Sequence, residues 1–118
     1  MADLELCKKI AEIEGATQVE VVRLGEIESL TAWFTLGDGF SYQKPVAYHN
    51  YRPHTDDALI WQLQIAHGII IIPVRESYGT GKVIGYKAFY NELIDCVYDK
   101  SPHRAICLAI IEANKETT

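Results

Sequence analysis

The sequence predicts an α/β (α+β) fold: a three-layer sandwich whose largely antiparallel sheet has helices on both faces, built as a single domain over residues 1–118. Three observations predict it. Stretches with apolar residues at helical spacing alternate with stretches of period-two or continuous apolar character. The extended stretches are short and bounded by glycine-containing turns. Several of them are apolar on both sides, which calls for cover on both faces of the sheet.

The first helix is expected over residues 2–14, where Leu6, Ile10 and Ile13 form one stripe, Asp3 is the N-cap and Gly15 the stop. The second is expected over residues 56–67. Thr55 caps it, Leu59, Leu63 and Ala66 make its stripe, Trp61 and Ile65 widen that stripe, and Gly68 ends it. The third starts at the Ser101 cap with Pro102 in its first position, where proline lacks only an N–H that would be unpaired anyway. Ile106, Ala109, Ile110 and Ala113 share its buried face, and Cys107 in the same run reads as a core thiol.

Strands are expected over residues 18–23, 30–36, 69–74 and 83–90, with a further short one at 95–98. Pro73 marks either a bulge or an edge position. Tyr78-Gly79-Thr80-Gly81 turns one strand back on the next as a hairpin. Trp33 stands opposite the apolar side of its strand, so it lies either under a helix on the second face or exposed as a stacking platform. Residues 37–54 read as one long irregular segment, and no internal repeat is visible.

Composition narrows the function. A 48% hydrophobic and 23% charged chain has the makings of an ordinary core, which argues against extended disorder. The net charge of −5 opposes binding to DNA or RNA through phosphate neutralisation. No apolar run approaches the ~20 residues of a membrane span. Residues 1–9 lack the apolar core of a signal peptide, so a cytoplasmic location is expected.

Two stretches carry a family resemblance. Thr55-Asp56-Asp57-Ala58-Leu59-Ile60-Trp61 opens the second helix, and Ser101-Pro102-His103-Arg104-Ala105-Ile106-Cys107-Leu108-Ala109 opens the third. Together they resemble the small phage and prophage proteins of the phage ABA sandwich domain family, over about residues 53–116. The approach to the last helix, residues 96–100, departs from that pattern. The resemblance implies a phage origin, a bacterial host cytoplasm and a three-layer fold, and it brings no catalytic residues.

The chemistry-bearing residues point to binding. Gly79-Thr80-Gly81-Lys82 lacks the early glycine of a phosphate loop, and Val83 follows the lysine in place of Ser or Thr. His49, His54, His67 and His103 show no metal-ligand spacing, three scattered cysteines form no framework, and neither a metal nor a cofactor is expected. No nucleophile elbow or marked carboxylate pair argues for an enzyme.

The stretch Tyr48-His49-Asn50-Tyr51-Arg52-Pro53-His54 combines aromatic rings, hydrogen-bonding groups and a fixed cation, against the plainer reading of a polar loop. With Arg75, Tyr78, Lys82 and Arg104 it makes a candidate set for a nucleotide-like ligand: a ring to stack on, guanidinium for phosphate, amides at a helix start. Tyr48, Tyr51, Arg52, His54, Arg75, Tyr78, Lys82 and Arg104 are therefore the expected ligand-binding residues. The leading expectation is a non-enzymatic phage accessory protein that sequesters a small nucleotide-derived signalling molecule of host defence. The alternative is a protein-interaction or structural factor docking on a host or virion protein. An enzyme using His49, His54 or Cys96 ranks last. A homo-oligomer is expected, since most soluble assemblies are symmetric.

Overall fold

The computed structural model describes residues 1–37, 43–77 and 81–115. The protein is an α+β fold of three helices and two three-stranded antiparallel sheets, with helices packed against the sheets. The chain divides into two compact units, Met1–Arg52 and Pro53–Thr118. The strands thus form two meanders rather than one sheet. Each strand pairs with its neighbour in sequence, the pairing that closes the shortest loops.

The first unit holds α1 (Asp3–Ile13), β1 (Gln18–Leu24), β2 (Ile27–Gly37) and β3 (Gln43–Tyr48). Asp3 is the first helical residue of α1 rather than its cap; Ala2 takes the cap position without a side-chain hydrogen bond. The helix buries Leu6, Cys7, Ile10 and Ala11, a stripe rotated from the expected one because α1 packs on both β2 and β1. Leu24 and Ile27 close a two-residue turn in which Gly25 alone adopts positive φ, the arrangement of a II′ hairpin.

On the central strand β2, Leu30 and Ala32 are buried on one face and Thr31 on the other, so cover on both faces holds here. Trp33 is half-buried, its indole nitrogen shut off from solvent without a hydrogen-bond acceptor among the described residues. The ring is therefore not an open stacking platform. The expected irregular segment contains β3, paired to β2 at the edge of the sheet. Pro45 concealed it, yet an edge strand tolerates a residue that donates no ladder bond.

The second unit holds α2 (Asp57–His67), β4 (Ile70–Arg75), β5 (Val83–Asn91), β6 (Asp95–Asp99) and α3 (Pro102–Asn114). Asp56, not Thr55, caps α2, its carboxylate accepting from the Leu59 amide at 3.1 Å. Gly68 ends the helix in the left-handed conformation. Ser101 caps α3 as expected, accepting from the Arg104 amide at 3.3 Å. Pro73 lies in edge strand β4 next to a register shift at Val74/Arg75, so both features it was read to signal are present.

α3 is the core of this unit: Ala105, Ile106, Cys107, Ala109, Ile110 and Ile111 are buried, and it packs on all three strands. α2 packs on α3 and buries only Ile60 and Leu63. Trp61 and Ile65, expected to widen its buried stripe, are instead 63% and 65% exposed. Both units open with the same succession of an 11-residue helix, a glycine at positive φ (Gly15, Gly68) and a three-stranded meander. The repeat lies in the order of elements and left no readable trace in residue identities.

Candidate functional site

Of the expected ligand-binding residues, Tyr48, Tyr51 and Arg52 belong to the first unit, and His54, Arg75, Lys82 and Arg104 to the second. Tyr78 lies outside the described residues. Tyr51 is 2% exposed, so its ring belongs to the core and offers no stacking face. Its amide donates to the Leu30 carbonyl at 2.7 Å, and its ring lies 5.9 Å from Phe34 and, edge-on, 5.2 Å from Tyr48. Tyr48, at the end of β3, keeps 39% exposure and is the half of this pair that solvent reaches. Arg52 is exposed and His54 half-buried.

Arg75, Lys82 and Arg104 of the second unit lie at one end of its sheet. Arg75 pairs with Val83, and Asp99 pairs with Tyr86, so the β4–β5 hairpin and the end of β6 lie together. α3 starts from the end of β6, and His103 in its first turn meets Asp57 in the first turn of α2 at 2.6 Å. Two helix N-termini therefore stand at the same end as Arg75, Lys82 and Arg104. Each is the positive end of a helix dipole.

The cations there are already engaged or balanced. Arg75 donates to the Gly81 carbonyl at 3.0 Å, bracing the hairpin. Arg104 pairs with Asp99 at 3.4 Å, both side chains 22% exposed. Asp56, Asp57, Glu76 and Asp99 match Arg75, Lys82, Lys100 and Arg104 in number, so the formal charges of these eight side chains cancel. His103, which carries no ligand or metal pattern in the sequence, joins the two helix starts through Asp57.

Among the described residues, no group of three His, Cys, Asp or Glu side chains is placed to hold a metal ion. An open cleft of about 270 Å³ is lined by Tyr90, Asn91, Asp95 and Ala113, at the opposite end of the sheet. Within this lining, Asn91 donates to the Asp95 carboxylate at 3.2 Å. None of the expected site residues lines it.

The most distinctive surface lies on the second sheet. Residues directly opposed on antiparallel strands point to the same face. One face of the second sheet thus carries the rows Ile70–Phe89–Cys96 and Ile72–Lys87–Tyr98, with Val74–Gly85 beyond. Ile70, Ile72 and Tyr98 on it are 42%, 40% and 49% exposed, while Ala88, on the other face of β5, is fully buried. The run Ile69–Val74 read as buried on both sides because continuous apolar strands usually are. The alternation of Gly85, Lys87 and Phe89, with a lysine at the centre, was the signal that this face meets solvent. No described helix is long and apolar enough to cross a membrane.

Comparison with known proteins found nothing similar: no family model matches the chain, and no curated protein or solved structure matches it.

Proposed function

We propose that the protein is a non-enzymatic interaction factor that binds a protein partner through the exposed face of its second sheet. The observation that carries this reading is the apolar surface of Ile70, Ile72, Val74, Phe89 and Tyr98 around Lys87. Contiguous exposed apolar surface of this kind marks contact sites on soluble proteins, and aromatic residues are enriched in them. Trp61 and Ile65, one turn apart on α2, add a second exposed apolar pair. In the phage setting that the helix-start resemblance implies, the partner is a host or virion protein or another copy of the chain.

Lys87 is a built-in probe of this reading. Amine-reactive cross-linking in cells that make the protein is expected to join Lys87 to a protein partner, and Ile72→Asp is expected to abolish that link. Lys8 and Lys9 on α1 serve as internal controls. Lys87 forming no protein cross-link, or the same links in Ile72→Asp, would overturn it.

A second reading is sequestration of a small nucleotide-derived anion, such as a host-defence signal. It is favoured by the shared placement of Arg75, Lys82, Arg104 and two helix N-termini at one end of the second unit. Calorimetry with a panel of cyclic and ADP-ribose-derived nucleotides tests it. Binding that weakens ten-fold or more in Arg75→Ala or Arg104→Ala, with ligand recovered intact, supports sequestration. No binding, or recovery of altered ligand, removes it.

A further inference from the structure

We infer that the exposed face of the second sheet is covered by the same face of a second copy, about a two-fold axis that crosses the strands at the Ile70–Phe89–Cys96 row. The inference rests on the interaction reading and names its partner. Between the register shifts at its two ends, the three regular rows of this face, Ile70–Phe89–Cys96, Ile72–Lys87–Tyr98 and Val74–Gly85, carry one charge, Lys87, on the middle strand, and no carboxylate. A fitting partner offers apolar surface with an acid set to meet that lysine, since an uncompensated charge buried in a contact is costly.

The chain itself carries such a surface. The β5–β6 turn places Glu92 beside Leu93 and Ile94, which are 63% and 72% exposed. Glu92 holds a positive φ of 52°, and the Ile94 amide closes the turn on the Asn91 carbonyl at 3.0 Å. Lys87 lies two residues from Phe89 in one direction. Glu92 lies three residues away in the other, across a register shift between Phe89 and Asn91. At ~3.4 Å per residue, each sits roughly 7–10 Å from the Phe89 row.

A two-fold axis across the strands at that row exchanges the two positions. Glu92 of each copy then meets Lys87 of the other, so the ion pair occurs twice. An axis along the strands would set Lys87 against its own counterpart, which is repulsive. The crosswise axis also sets Cys96 opposite its counterpart, across sheets packed ~10 Å apart. Three strands spaced ~4.8 Å and five residues long cover roughly 15 Å by 17 Å. That is well below the ~800 Å² per partner of a standard interface. The dimer is accordingly weak and concentration-dependent.

Two measurements on the purified chain test this. Cys7 and Cys107 are buried and Cys96 exposed, so a short bismaleimide reports on Cys96 alone. A cross-linked dimer is expected, lost in Cys96→Ser. Sedimentation velocity across the micromolar range is expected to show reversible dimerisation. Lys87→Glu and Glu92→Lys should each weaken it at least ten-fold, and the double variant should restore it, as a direct pair requires. Monomer throughout, a dimer indifferent to either single change, or a double variant no better than the singles would overturn the inference. If the chain is monomeric yet Lys87 still cross-links to another protein, the second copy is wrong and the interaction reading stands. If neither is seen, both fall.

Discussion

The ring of Tyr98 lies across Gly85, the diagonal neighbour on the adjoining strand, and its hydroxyl donates to the Ile84 carbonyl at 3.1 Å. A Cβ at position 85 would overlap the ring and the hydroxyl. The glycine is thus the seat of an aromatic residue that shapes the exposed face of the second sheet.

Gly85→Ala is expected to destabilise the fold by about 1–3 kcal/mol through overpacking. Tyr98→Ala removes the obstruction, so the double variant should lose less than the sum of the two. Denaturant unfolding read as a double-mutant cycle checks this, and strict additivity would refute the contact.

Helix caps should show their cost separately. Asp56→Ala and Ser101→Ala each remove the side chain that accepts from the first turn of α2 or α3. Each is expected to cost about 1 kcal/mol. Thr55→Ala should cost less than Asp56→Ala, because Asp56 holds the cap position. A larger loss at Thr55 than at Asp56 in urea unfolding would contradict the placement.

The packing of α3 and the exposure of α2 give opposite expectations for two isoleucines. Ile110 is fully buried, and Ile110→Ala should cost about 2–5 kcal/mol by leaving a cavity. Ile65 is 65% exposed, and Ile65→Ala should change stability by less than about 0.5 kcal/mol. Comparable losses at both sites would mean that α2 buries a different stripe.

Tyr51 and Tyr48 separate stability from binding. Tyr51→Ala removes a core ring and should cost about 3–5 kcal/mol, as large-aromatic truncations do. Tyr48→Ala should cost clearly less, because its ring is partly solvated. Any apparent loss of ligand binding in Tyr51→Ala is then expected to track lost fold in the melting curve.

Cys96 should react with a thiol reagent in the native protein, while Cys7 and Cys107 wait for unfolding. One fast thiol of three is the expected result in a colorimetric titration. Three fast thiols would show that α1 and α3 open readily.

Much of the fold was legible because its signals are local. The Ser101-Pro102 start of α3 and the Gly68 stop of α2 each follow from the backbone preferences of a few adjacent residues. Cys107 and Ile110 were legible as core because they stand in the middle of a strongly apolar helix. Thr55 and Asp56 show the limit of such signals, since both are good caps and only the position of the first helical turn decides between them.

The candidate site depended on what no local signal contains. Tyr51 reads from its neighbours as a polar-loop residue, yet the chain folds its ring against Phe34, and burial removes it from any ligand. Arg75 and Arg104 read as free cations until pairing with the Gly81 carbonyl and the Asp99 carboxylate engages them. Ile70 and Ile72 read as doubly buried until α3 takes one face of the sheet and leaves the other to solvent. Caps, turns and periodicity act over a few residues and are written in the sequence. Which face a helix covers is a competition among distant apolar surfaces, and only the tertiary structure decides it.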